Sequence, residues 1–247
     1  VESAPLDSEL IRAEELRKGF RGVQAVSGLS LRVAEREMVG IIGPNGAGKT
    51  TVFNLIAGTF RPDDGRIFYR GRDITRLPAH RRLRLGIART FQIVQPFPSL
   101  SVRQNLLVSA TASGAGSREA SARADEAIER FGLARAAFRP SLSVNAVEGK
   151  RLEVARAVAA RPRVLLLDEI FTGLNSDEVG ELASMLKQLR DQGVTILLIE
   201  HNITAIRLVA ERVIAMDAGH QVSEGTPESV FTDTAVVESY LGRRASA

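Results

Sequence analysis

The sequence predicts an α/β fold with a mostly parallel sheet covered by helices. Three observations carry that prediction. Short apolar runs at Glu37–Ile42, Val164–Leu167 and Val194–Ile199 alternate with longer stretches of helical period, the pattern of strands buried on both faces. The first run passes directly into a glycine-rich loop and then a helix. The 247 residues, 44% apolar and 25% charged, suffice for one large unit or a core with a smaller inserted lobe.

The elements follow in chain order. Ile11–Arg17 and Ala25–Val33 read as strands, and Glu37–Ile42 as a strand ended by GPNGAGKT at 43–50. Lys49–Gly58 is helical, and Gly58 suits a stop because glycine takes the left-handed conformation without steric cost. A turn at 62–65, a strand at Gly65–Tyr69, a short basic helix at Leu77–Gly86 and a strand at Ile87–Phe91 come next. Small helices from about Val102 to Leu142 read as a helical insertion. Within it, residues 111–121, rich in Ala, Ser and Gly, predict a mobile loop, and Ser121–Phe131 an amphipathic helix. A helix at about Gly149–Ala160, the strand Val164–Leu167, a helix at Ser176–Gln192, the strand Val194–Ile199 and a helix at Ile203–Ala210 follow. A hairpin around Met216–Val222 and one C-terminal helix near 227–241 complete the chain.

Composition excludes several chemistries. Cysteine is absent, so there is no disulfide framework, thiolate zinc site, Cys-ligated iron–sulfur cluster or thiol nucleophile. No apolar run is long enough to span a bilayer, and Val1–Glu15 is polar without a signal-peptide core, which predicts a soluble, cytosolic chain. Lys+Arg 33 against Asp+Glu 29 leaves +4. The pI of 9.9 reflects arginines that do not titrate near neutrality more than a large positive field. The densest basic run, Arg70, Arg72, Arg76, Arg81, Arg82 and Arg84, has no aromatic ladder for stacking bases, so it reads as a solvated face and no nucleic-acid partner is expected.

Gly43-Pro44-Asn45-Gly46-Ala47-Gly48-Lys49-Thr50 matches the phosphate-binding pattern G-x-x-x-x-G-K-[ST], placed between a strand and a helix as the mechanism requires. Glycines let the backbone wrap a phosphate with its N–H groups inward, and the helix N-terminus adds partial positive charge. Lys49 is expected to reach the β and γ phosphates and Thr50 to offer its hydroxyl to Mg²⁺. Such a site also needs a carboxylate for the metal and a group that orients water. Val164–Leu167 followed by Asp168-Glu169 supplies both at the carboxyl end of a strand: Asp168 for Mg²⁺, Glu169 as general base.

These two elements, with their spacing, resemble the ATP-binding cassette ATPases over about Leu16 to Gly242. The resemblance implies a phosphate-loop NTPase core with a mostly parallel sheet, an antiparallel β part and an inserted α-helical subdomain. It implies one unit over 1–247, with a core at about 1–95 and 147–225, a helical subdomain at 96–146 and a C-terminal helix at 226–247. Phe20 in KGFRG stands where the family stacks adenine, and a core phenylalanine is an equal reading. Gln92 in RTFQ matches the glutamine that contacts Mg²⁺ and water and links to the membrane partner; Gln95 is the lesser candidate. Gly173-Leu174-Asn175 resembles the loop after the acid pair, and His201 the histidine that touches the γ-phosphate. His80 and His220 match nothing. Asn45, Gly46, Ala47, Gly48 and Thr51 join Gly43, Lys49 and Thr50 as phosphate-binding positions.

LPAHRR, LGIARTFQ, LLIEHN and the ending EGTPESV with VVESYLG narrow the likeness to importer ATPases for branched-chain amino acids, a branch that also serves urea, short amides and other small solutes. The partners so implied are transmembrane permease subunits, a second cassette and, indirectly, a solute-binding protein. The implied place is the cytoplasmic face of a bacterial or archaeal membrane. A soluble cassette ATPase of nucleic-acid repair or protein assembly is the alternative, and the missing coiled coil speaks against it.

One motif departs from the family. Its signature, LSGGQ, has its counterpart at Val144-Asn145-Ala146-Val147-Glu148. Both glycines are replaced, and the Cβ atoms of Ala146 and Val147 restrict close backbone approach. Asn145 can still cap the following helix and offer a polar group to phosphate, whereas Glu148 brings negative charge. In the family this segment serves the partner's ATP. A homodimer would therefore repeat the defect twice, and a heterodimer keeps one intact site. Heterodimerisation is the favoured expectation, with a tolerated variant loop as the other.

Overall fold

A computed structural model describes residues 9–90 and 96–241. Its strands are β1 (Glu9–Phe20), β2 (Val23–Ala34), β3 (Met38–Ile42), β4 (Asp64–Tyr69), β5 (Arg72–Asp73), β6 (Ile87–Arg89), β7 (Val164–Asp168), β8 (Thr195–Ile199), β9 (Arg212–Asp217) and β10 (His220–Gly225). They form two sheets. The antiparallel one runs β2-β1-β4-β5, and the other runs β10-β9-β3-β8-β7-β6. In the second, β9, β3, β8, β7 and β6 are parallel neighbours and β10 closes one edge antiparallel. The predicted α/β class and its antiparallel part are both present.

Period-2 alternation sorts the parallel strands onto two faces. Leu165, Leu167, Ile196 and Leu198 join one core with the later helices, whereas Val164, Leu166, Leu197 and Ile199 join another beneath the antiparallel sheet. Three two-residue hairpin turns have positive φ at both positions: Arg21-Gly22, Arg70-Gly71 and Ala218-Gly219. That geometry matches the right-handed twist of the flanking strands, and glycine takes the second position freely.

Helices α1 (Lys49–Ala57), α2 (Ala79–Arg84), α3 (Val102–Ala112), α4 (Ser117–Arg130), α5 (Ala146–Ala159), α6 (Ser176–Asp191), α7 (Ile203–Val209), α8 (Pro227–Phe231) and α9 (Thr234–Leu241) cover the sheets. Several differ from the sequence expectation. The stretch 111–121 is no long loop: only residues 113–116 separate α3 from α4. Gly114 makes the reversal at φ +106°, and Ala120 is buried against the core. Small Ala and Ser side chains, read as linker, are what lets the two helices pack closely. Arg103 then ties them, donating to Asp125 at 2.7 and 2.9 Å and to Ser121 at 2.6 Å. α5 starts three residues earlier than expected, because Asn145 and Glu148 form a reciprocal cap. The C-terminal segment is two helices, interrupted at 232–233, where Asp233 accepts from the Ala235 N–H.

The basic run also needs correction at one place. Arg70, Arg72, Arg76, Arg81 and Arg84 are exposed, but Arg82 is fully buried. Its guanidinium donates to the carbonyls of Leu77 (2.9 Å), Leu55 (2.7 Å), Ile56 (2.8 Å), Ile74 (2.8 Å) and Thr75 (3.0 Å). It therefore caps the C-terminal end of α1, where carbonyls lack intrahelical partners and a cation is favoured. Burial pushes its pKa down to about 10. Gly58 leaves room for it, since a Cβ there would stand 2.7 Å from Arg82 Nε.

Candidate nucleotide site

The loop 43–50 is clamped from three sides. A Cβ at Gly43 would lie 2.1 Å from the Met216 carbonyl oxygen, and one at Gly48 2.1 Å from that of Ala25. The tip of the β9–β10 hairpin closes the third side, where the Gly219 N–H donates to the Ala47 carbonyl at 3.1 Å. Gly48, at φ +98°, is the N-cap of α1, so Lys49 and Thr50 occupy its first turn. Lys49 is 6% exposed, and its ammonium donates to the carbonyls of Gly43 (2.7 Å) and Pro44 (2.9 Å). A cavity of about 330 Å³ opens over this loop. Asn45, Gly46, Ala47, Gly48, Lys49, Thr50 and Thr51 line it, and so do Glu169 and His201 from the sheet. The predicted phosphate and water-activating residues thus share one cavity.

Asp168 ends β7 fully buried, and neither carboxylate oxygen has a hydrogen-bond partner. The Asp168 N–H donates to Thr90 Oγ1 at 3.0 Å, and Arg89 Nη2 stands 3.6 Å from Oδ2. Burial pushes the Asp168 pKa up to about 6 against the opposing pull of Arg89. A buried carboxylate without hydrogen bonds is costly unless a cation compensates it. Among the described residues no group of three or more His, Cys, Asp or Glu side chains could hold a metal ion. One carboxylate and one hydroxyl beside a triphosphate is instead the ligand set that Mg²⁺ takes, so the residues fit MgATP.

Glu169 follows with φ +51°, a left-handed conformation. Its backbone is pinned by its own N–H to the Ile199 carbonyl (2.9 Å) and by Lys150 Nζ to its carbonyl (3.0 Å). Its Oε1 lies 3.1 Å from His201 Nε2. With the proton on Nε2, the imidazole donates to the carboxylate and holds it at the cavity mouth.

Other expected residues lie apart from this cluster or outside the described part. Phe20 does not line the cavity. It is 39% exposed, packs edge-to-face on Phe60 with centroids 5.2 Å apart, and has Lys18 Nζ 5.4 Å from its ring. Gln92 and Gln95 fall outside the described residues. Asn145 and Ala146 are exposed at the start of α5, with Val147 and Glu148 partly covered. Asn145 Oδ1 accepts from the Glu148 N–H (2.8 Å), and Glu148 Oε2 accepts from the Asn145 N–H (3.0 Å). Arg139 Nη1 lies 3.5 Å from that carboxylate. The acid that replaces glutamine is thereby turned back on its own helix.

Three residues escaped the sequence reading. Glu200, 1% exposed, accepts from the Phe171 N–H at 2.8 Å and so fixes the turn after Glu169; burial pushes its pKa up to about 7. Tyr240 shares a mostly apolar cavity of about 240 Å³ with Ile42, Glu200 and His201. Helix α9 therefore reaches His201 and the end of β3, the strand that leads into the phosphate loop. Arg89 is the third.

This fold and this site define a P-loop ATPase of the cassette type. Residues 26–172 match the family described as ABC transporter, and the chain belongs to that family. It is 36% identical to the high-affinity branched-chain amino acid transport ATP-binding protein LivG of Salmonella typhimurium, over 96% of this chain and 99% of that one. It is also 36% identical to the lipopolysaccharide export system ATP-binding protein LptB of Haemophilus influenzae, over 95% and 98%. Among solved structures, the ADP conformation of MJ1267, an ATP-binding cassette of an ABC transporter, matches with a TM-score of 0.85 at 27% identity, covering 95% of this chain and 99% of that chain. No helix among the described residues is long and apolar enough to cross a membrane.

Proposed function

We propose that this chain is the ATP-hydrolysing motor of a bacterial or archaeal importer for branched-chain amino acids or a related small solute. The observation that carries the catalytic part is the Glu169–His201 pair lining the phosphate cavity, with the buried Asp168 carboxylate, which has no hydrogen bond, one residue before it. Lys49, the loop N–H groups and the start of α1 hold the β and γ phosphates. Thr50, Asp168 and Gln92 would hold Mg²⁺, which would supply positive charge to the phosphate oxygens. Glu169 takes a proton from water as the water oxygen attacks the γ-phosphorus. The bond to the β-phosphate oxygen breaks, and ADP leaves with the electron pair. His201 orients Glu169 and contacts the γ-phosphate, and Phe20 receives the adenine.

In this reading the layout is a core at about 1–95 and 147–225, a helical subdomain at 96–146 and a C-terminal part from 226. A groove of about 290 Å³ is lined by Leu83, Ile87, Phe97, Val108, Ala112 and Arg156 among others. It supports docking of a permease helix there, with this chain peripheral on the cytoplasmic face. Asn145–Glu148 face a partner's ATP. The self-capped Glu148 reduces the charge clash, while Ala146 and Val147 still lack the openness of glycine, so a heterodimer with a second cassette remains favoured.

Glu169→Gln tests the chemistry: turnover should fall by about 10²-fold or more with ATP binding retained, and undiminished turnover removes Glu169 from the role. Strong cooperative turnover by the isolated chain would refute the heterodimer. Export is the second reading, favoured by the equal likeness to LptB. Leucine uptake into vesicles holding the reconstituted complex separates the two, because an export motor supports none.

A further inference from the structure

Arg89 sits at the end of β6 with a side chain only 10% exposed. Its guanidinium reaches its own chain neighbour and two other elements, α1 and β7. Nε donates to the Thr90 carbonyl at 3.1 Å, Nη1 donates to Asn54 Oδ1 at 2.6 Å, and Nη2 lies 3.6 Å from Asp168 Oδ2. Asn54 in turn donates from Nδ2 to the Thr50 carbonyl at 2.8 Å. A continuous polar chain therefore runs from Thr50 on α1, through Asn54 and Arg89, to Asp168 on β7. Both end residues are assigned to the metal: the chain meets Asp168 at its carboxylate and Thr50 at its backbone carbonyl, which fixes the first turn of α1 that carries the Thr50 hydroxyl. A second branch returns from Arg89 through Thr90, whose hydroxyl accepts from the Asp168 N–H.

We propose that Arg89 is a positioning residue of the metal site, setting the separation between the Thr50 hydroxyl and the Asp168 carboxylate. The planar fork of arginine suits this task, because it presents donors in fixed directions to partners on different elements. Lysine, a single point of charge, can satisfy Asn54 or Asp168 but not both. The fixed spacing matters because Mg²⁺ demands near-ideal octahedral geometry and tolerates little error in ligand position. The proposal rests on the MgATP reading above. It predicts a defect that follows the metal and not the nucleotide, since Lys49 and the loop N–H groups hold phosphate independently of Arg89.

Calorimetric titration of ATP into the full chain, with Mg²⁺ and with EDTA, tests this in a Glu169→Gln background that does not consume ATP. Arg89→Met should cut the Mg²⁺-dependent gain in affinity about tenfold, close to 1.4 kcal/mol, while affinity in EDTA changes less than about twofold. Arg89→Lys should restore part of the gain. Asn54→Leu keeps the charge and breaks the link, and should lower the gain about threefold. An unchanged gain in Arg89→Met, or equal losses in Mg²⁺ and EDTA, overturns the proposal. Should Arg89→Met not fold, an unchanged gain in Asn54→Leu overturns it alone. If the parent shows no Mg²⁺-dependent gain, the metal assignment itself fails, which is a distinct result.

Discussion

Replacing Arg82 by methionine is the sharpest test of how the phosphate-loop helix is held. Methionine fills similar space but cannot donate. Of the five carbonyls that Arg82 serves, Leu55 keeps a bond from the Gly58 N–H and Ile74 one from the Leu77 N–H. The carbonyls of Ile56, Thr75 and Leu77 lose their donor. A buried polar group left unsatisfied costs about 1–3 kcal/mol. The site is fully buried, and removing the guanidinium also removes a desolvated charge, which offsets part of the loss. The net expectation is a loss of about 3–5 kcal/mol, a large share of ordinary domain stability. Urea unfolding followed by far-UV circular dichroism measures it as a lower midpoint. Arg82→Lys should lose about half as much, because an ammonium reaches fewer of the five oxygens. A loss below about 1 kcal/mol in Arg82→Met would refute the capping argument.

Three further outcomes follow from local geometry. Gly48→Ala should abolish ATP binding, as its Cβ would lie 2.1 Å from the Ala25 carbonyl oxygen, whereas Gly46→Ala meets nothing within 4 Å and should cost only about 1 kcal/mol for its φ of +83°; equal defects in nucleotide titration would contradict the clamp. Glu200 has its pKa raised from 4.5 to about 7, so the folded state binds the extra proton between those values and stability falls as pH rises through that window. Glu200→Gln should flatten that part of the stability profile, and a slope equal to that of the unmodified chain would exclude Glu200 as its source. Asn145→Ala removes the cap of α5 and should cost about 1 kcal/mol in thermal or urea unfolding, with Asn145→Ser nearly neutral.

The sequence made the phosphate chemistry legible because that chemistry needs rare residues in fixed order. Gly43 to Thr50, Asp168 and Glu169 are legible that way and His201 through the family resemblance, and Asn45 to Thr50, Glu169 and His201 line one cavity. Arg82 and Arg89 are not: Arg82, in a basic run, looks like any solvated arginine until five carbonyls are seen around it, and Arg89 matches no pattern until the buried aspartate beside it is seen. Glu200 was hidden by its neighbour His201, the residue that matched a pattern. The stretch 111–121 failed for another reason. Ala, Ser and Gly signal flexibility in an isolated chain, but buried helix contacts override that signal, and only Gly114 kept its breaking role. The cap of α5 was readable, since Asn145 followed three residues later by Glu148 is the reciprocal capping pattern, which recurs at Asn175 and Glu178.

The backbone at Glu169 carries one more message. At φ +51° a side chain with a Cβ is disfavoured by about 1 kcal/mol, and glycine would sit there without that penalty. Glycine there would relieve the backbone and at the same time remove the carboxylate beside His201. Backbone ease and the acid at the cavity therefore compete at this position, and Glu169→Gly should be the more stable chain.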